Sequence, residues 1–78
     1  MTYLVYIIRS LKHHRFYVDM TSDFEKRLVS HNLGLNTSTK HGTPWENIWL
    51  SNPTESKNEA LSLEKKSKKE VLKDFSMI

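Results

Sequence analysis

Cysteine is absent from these 78 residues, so no disulfide framework and no thiolate metal centre can hold the chain together, a composition suited to the cytoplasm. Glycine and proline are scarce, two of each, which argues against fibrous and low-complexity architectures. No long apolar run occurs either. The stretch from Tyr3 to Ile8 is too short for a membrane span or a signal-peptide core, and no basic segment precedes it. It reads as a buried strand, and no repeat, linker or low-complexity tract divides the chain. With 12 basic against 9 acidic residues the net charge is only +3 and the pI about 9.3, which favours a polyanionic partner without identifying one.

What is present is the composition of a globular chain, 37% hydrophobic and 27% charged. Its length allows one domain, residues 1–78, and one modest core, with no room for a separate target-recognition domain. Tyr3 to Arg9 and Arg15 to Val18 are rich in β-branched and aromatic residues, and the more polar Leu11-Lys12-His13-His14 separates them, so a β-hairpin is expected. Lacking the Gly or Asn of a tight primed turn, the hairpin needs a longer loop of even length, which puts Tyr6 and Tyr17 on the same face of the sheet. His13 and His14 then lie exposed in the turn.

Ser22-Asp23-Phe24-Glu25 is a capping-box pattern that starts a helix near Asp23, and Gly34 is placed to end it. Phe24, Leu28 and Asn32 line one side of this helix, while Arg27 and His31, one turn apart, share the adjacent face. A polar, turn-rich loop leads to Pro44 and a third strand, Trp45 to Ser51, with Trp45 and Trp49 on one face as core residues. Ser56-Lys57-Asn58-Glu59 is a second capping box, opening a helix with Ala60, Leu61 and Leu63 on its inner side. Val71, Leu72 and Phe75 continue the stripe, along one long helix or a second short one. The expected fold class is α+β: a small three-stranded antiparallel sheet flanked by helices, in the order β-β-α-β-α with a helical tail over 70–78.

Tyr6, Tyr17, Arg27, His31 and Glu64, in this order, can form one site for cutting a phosphodiester. Such hydrolysis needs an activated water, stabilisation of charge on phosphoryl oxygens and help for the leaving oxygen. Arg27 has the donor fork that suits phosphate. Glu64 follows Ala60 by four residues and can face inward to hold a cation, for which one carboxylate suffices when the ion is Mg²⁺ or Mn²⁺. Each residue also has an ordinary reading: half-buried strand tyrosines, a surface arginine, a solvated or salt-bridged glutamate. Lys65, Lys66, Lys68, Lys69 and Lys73 fit either a solvated helix face or a phosphate-contacting stripe. His13, His14, His31 and His41 form no ligand-spaced pair on one element, which argues against a transition-metal centre.

Five motifs in register carry a family resemblance. Leu4-Val5-Tyr6, Tyr17-Val18-Asp19, the helix from Thr21 to Asn32 with Arg27 and His31, the threonine-bearing loop Thr37 to Pro44, and Glu59-Ala60-Leu61-Ser62-Leu63-Glu64-Lys65 together resemble the GIY-YIG nuclease superfamily over about residues 3–69. They are similar in particular to the small stand-alone bacterial branch related to the N-terminal nuclease domain of excinuclease C. The resemblance implies a metal-dependent, structure-selective or low-specificity DNA endonuclease, acting in repair or processing, with RNA as an alternative substrate. It implies one Mg²⁺ or Mn²⁺ on Glu64, water activation by Tyr17, nucleophile positioning or proton relay by Tyr6, phosphate stabilisation by Arg27, and proton shuttling or phosphate contact by His31. Lys40, Lys65, Lys68 and Lys69 are the expected nucleic-acid contacts. No membrane is expected, a recruiting protein is left open, and the chain is expected as a monomer or weak homodimer. The main departure is Asp19, where the second motif ordinarily ends in glycine. A carboxylate about 6 Å from a scissile phosphate, at an effective dielectric near 20, repels it by roughly 3 kcal/mol unless it joins the cation. That repulsion makes the alternative reading a nucleic-acid-binding module that no longer cuts.

Overall fold

Alternation along the first strand hands its side chains to two opposite layers. The computed structural model describes residues 1–74 and contains β1 (Leu4–Ser10), β2 (Phe16–Thr21), α1 (Phe24–Asn32), a single 3₁₀ turn (Lys40–Gly42), β3 (Trp45–Leu50) and α2 (Lys57–Asp74). The strands form an antiparallel sheet in the order β2-β1-β3, with β1 central, which is the expected α+β architecture. Among the described residues no helix is long and apolar enough to cross a membrane.

The hairpin closes as its composition requires. Buried Ser10 accepts from the backbone N–H groups of Lys12 and His13 and donates 2.5 Å to the Gly42 carbonyl, while its backbone N–H donates to Arg15 across the loop. The register pairs Ile8 with Tyr17 and Tyr6 with Asp19, so both tyrosines do share a face. Tyr6, Ile8 and Trp45, with Leu4, Tyr17, Phe24 and Leu28, form the core beneath α1. Val5, Val18 and Val71, with Ile7, Phe16, Met20 and Leu63, form the core beneath α2.

Three local expectations are corrected. The N-cap of α1 is Asp23, not Ser22: β2 runs on to Thr21, whose hydroxyl braces the Asp23 backbone, and the Asp23 carboxylate accepts from Lys26 N–H at 3.2 Å. Gly34 does end the helix, at φ 74, in a Schellman arrangement with Leu35 N–H on Ser30 and Gly34 N–H on His31. Trp45 and Trp49 lie on opposite faces. Ile8 pairs with Asn47 but Ile7 pairs with Trp49, so Ile48 is an extra residue that reverses the phase of β3. Trp45 is therefore buried beneath α1, while Trp49 is 41% exposed beside Ile7 and Leu63. Leu61 is exposed as well, because the inner stripe of α2 runs through Ala60, Ser67 and Val71 and Leu61 sits about 100° off Ala60.

Ser56 caps α2 as expected, accepting from Glu59 N–H, but the Glu59 carboxylate turns to the Thr54 hydroxyl. The long-helix alternative holds through Asp74; Phe75 and the rest of the expected tail lie outside the described residues.

Candidate active site

Tyr6 sits on the central strand and is wholly buried between its neighbours and α1. Phe24 on the first turn of α1 packs against it, with ring centroids 5.3 Å apart. One and two turns later, α1 brings Arg27 and His31 over the same face. His31 is also wholly buried, so it lies within the packed interior and not merely beside the apolar stripe. Its Nε2 is 2.8 Å from Tyr6 Oη and its Nδ1 is 2.6 Å from Thr39 Oγ1. Its ring and that of Tyr17 meet in an edge-type arrangement, with centroids 5.3 Å apart.

Asp19 joins the remaining groups. Its Oδ2 accepts from Tyr17 Oη at 3.1 Å and from Arg27 Nη1 at 3.5 Å, and its Oδ1 accepts from the Met20 backbone at 2.8 Å. The residue that departs from the motif thus holds both the water-activating candidate and the phosphate-binding candidate. α2, packed on the other face, brings Glu64 beside Asp19; the Glu64 side chain is only 16% exposed, and Lys68 Nζ stands 3.4 Å from its Oε2.

Burial and charge set the protonation of this cluster. The Tyr17 phenol is pushed up to about 12, first by burial and then by Asp19, against the opposing pull of Arg27. Tyr6 is raised further, again by burial and then by Asp19. Neither phenol is ionised at neutral pH in this state, and both burial and the neighbouring carboxylates stand against ionisation of Tyr17. Burial and then Arg27 hold His31 below the usual imidazole range, so it is a neutral partner of Tyr6. Glu64 is raised, first by burial and then by the adjoining Asp19, with Lys68 pulling it down.

Among the described residues no three His, Asp or Glu gather as a metal-ligating group. The donor set nevertheless fits a hard cation: two carboxylates stand side by side, all their donors are oxygens, and their mutual repulsion favours a positive charge between them. Mg²⁺ and Mn²⁺ suit such a pair because they keep waters and take substrate oxygens for the remaining positions.

The structure brings Tyr6, Tyr17, Arg27, His31, Asp19 and Glu64 together, with Lys68 at the margin. Lys40 on the 3₁₀ turn and Lys65 and Lys69 on α2 are exposed. Two further participants carry little signal in the sequence. Asn32 spans α1 and β3, accepting from Trp45 N–H at 2.6 Å and donating to its carbonyl at 3.2 Å. Thr39 is buried against His31, and only its place in a threonine-bearing loop signalled it. A family model of the GIY-YIG catalytic domain matches residues 2–76. Neither a curated protein nor a solved structure matches the chain.

Proposed function

Because the chain belongs to the GIY-YIG nuclease superfamily, whose members are generally divalent-metal-dependent, we propose that it is an endonuclease cutting DNA in a structure-selective or low-specificity way, as a repair or processing enzyme requires. The observation that carries this reading is the convergence of Tyr6, Tyr17 and Arg27 on one sheet face with Glu64 reaching the same place from α2.

Arg27 binds the scissile phosphate after giving up Asp19, an exchange of one oxyanion for another at the same guanidinium. Tyr17, once its own phenolic proton has been released to solvent, takes the proton of the attacking water, and Tyr6 orients that water while its own hydroxyl is tied to His31. Glu64, with Asp19 beside it, would hold one Mg²⁺ or Mn²⁺, which would supply Lewis-acid stabilisation of charge on the phosphoryl oxygens. Lys40, Lys65 and Lys69, being exposed, are the candidates for contacts along the nucleic-acid backbone, and Lys68 is the counter-ion of Glu64.

A second reading, a binding module that does not cut, is favoured by one observation: Asp19 engages Arg27 and Tyr17 through a single oxygen. Incubation with supercoiled, branched and single-stranded DNA in Mg²⁺ or Mn²⁺ separates the two readings. The nuclease cuts, and Glu64→Gln abolishes cutting; cleavage that persists in Glu64→Gln overturns the mechanism. Metal-independent, salt-sensitive binding without cleavage supports the binding module. On the second reading, where Asp19 joins no cation, replacing it by Gly removes a repulsion of roughly 3 kcal/mol, so substrate affinity should rise up to about a hundredfold. An unchanged affinity would show that Asp19 is no obstacle.

A further inference from the structure

Thr39 is built into the loop independently of the site it serves. Its N–H donates to the Asn36 carbonyl at 3.1 Å, and its own carbonyl accepts from Gly42 N–H at 3.0 Å and from the Trp45 indole at 2.9 Å. Gly42 makes this packing feasible, since a Cβ there would stand 2.7 Å from a ring carbon of Trp45. Only 1% of Thr39 is exposed, and its hydroxyl is directed at His31 Nδ1. A side chain anchored in this way can impose an orientation on the histidine.

The hydrogen bonds around Tyr6 indicate which tautomer is present. Tyr6 Oη lies 2.8 Å from His31 Nε2, which is the acceptor within reach for the phenolic hydrogen. If Nε2 carried a proton, the phenolic hydrogen of this wholly buried residue would have no acceptor in the hydrogen bonds of the described residues. With the proton on Nδ1, the group that gives up its acceptor is the Thr39 hydroxyl, a weaker donor than a phenol.

We propose that Thr39 is a positioning residue: it accepts from His31 Nδ1–H and thereby fixes the tautomer in which Nε2 accepts from Tyr6, so that Tyr6 turns a lone pair and not its hydrogen toward the reacting centre. The catalytic consequence rests on the nuclease reading above, but the tautomer does not. With the lone pair outward, Tyr6 accepts from the attacking water; with the hydrogen outward, it would donate to that water and hold it the wrong way round for attack.

Long-range ¹H–¹⁵N spectra of the full chain test this directly. The wild type and Thr39→Ser should show His31 protonated on Nδ1, and the near-isosteric Thr39→Val should move population to the Nε2–H form. In cleavage assays Thr39→Val should lower kcat by roughly tenfold with KM unchanged, the scale on which losing a histidine-orienting partner is felt, and Thr39→Ser should restore it. An Nε2–H tautomer in the wild type, or an unchanged tautomer in Thr39→Val, overturns the proposal. Should Thr39→Val fail to fold, the wild-type and Thr39→Ser spectra decide alone. Should the wild type cut nothing, the nuclease reading fails while the tautomer assignment still stands or falls on the spectra.

Discussion

The two faces of the sheet are built on opposite principles, although β1 supplies both by simple alternation. Beneath α2, Val5 and Val18 meet Val71, with Ile7, Phe16, Met20 and Leu63 around them. Burial there is non-directional, and what matters is volume. Beneath α1, the wholly buried side chains include Tyr6, Ser10 and His31, with Thr39 almost so, and each is held by hydrogen bonds to named partners. A polar interior of this kind tolerates no missing partner, because each unsatisfied group costs about 1–3 kcal/mol. One layer supplies cohesion, and the other fixes the direction of its hydroxyls and ring nitrogens. In a chain of 78 residues both tasks must share one sheet.

That division can be broken from either side. Arg27→Ala removes the guanidinium that touches Asp19 and should cost about 3 kcal/mol of transition-state stabilisation, a hundredfold or more in cleavage rate. Its ion pair is partly exposed and contributes at most about 1 kcal/mol to folding, so the melting temperature should hardly move. Parallel cleavage rates and thermal melts check both halves; a large loss of stability would mean that Arg27 belongs to the cohesive layer. Val18→Ala makes the opposite cut. Losing two methyl groups from a site 1% exposed should cost about 2 kcal/mol. For a domain of this size that lowers the melting temperature by about 10 °C. Well below the melt, the rate per folded molecule should match the wild type, and a drop comparable to that of Arg27→Ala would show that the layers are not separable.

The elements were more legible in the sequence than the contacts between them. Alternating β-branched residues, a loop without primed-turn chemistry and a helix ended by Gly34 are local signals, and the elements follow them. The phase of β3 was not legible: nothing in Trp45 to Leu50 announces that Ile48 is an extra residue, since a bulge is set by the partner strand and by what each face must bury. The cap of α1 moved from Ser22 to Asp23 for a similar reason, because either side chain can cap and the reach of β2 decides between them. Of the candidate site, Tyr6, Tyr17, Arg27, His31 and Glu64 were readable as a motif whose members the fold brings together, and the hairpin register placed the tyrosines on one face. Their wiring was not readable. Asp19 looked like a charge opposed to substrate, yet its contacts to Tyr17 and Arg27 depend on a helix meeting a strand, and Thr39 meets His31 only because a loop folds back under Trp45.

The smallest expected effect sharpens the comparison most selectively, because it is confined to the polar layer. His31 titrates near 6.5 in an unfolded chain and below that in the fold, where burial and Arg27 disfavour its charged form. Between those two values the unfolded chain binds a proton that the native protein refuses, so the stability of the native protein rises with pH across this window. On acidification the contribution of His31 is therefore intact above about 6.5, declines as the pH falls toward the native value, and changes no further once both states are protonated. Urea midpoints measured from pH 7.5 to 5.5, above the range in which ordinary carboxylates titrate, should fall in the wild type and fall less in His31→Gln, which keeps a polar side chain but has nothing to protonate. The exposed His13, His14 and His41 are present in both proteins and cancel in the comparison. Parallel slopes would mean that His31 accepts a proton in place, so that the Tyr6–His31–Thr39 chain is open to charge and the layer beneath α1 is less closed than its burial indicates.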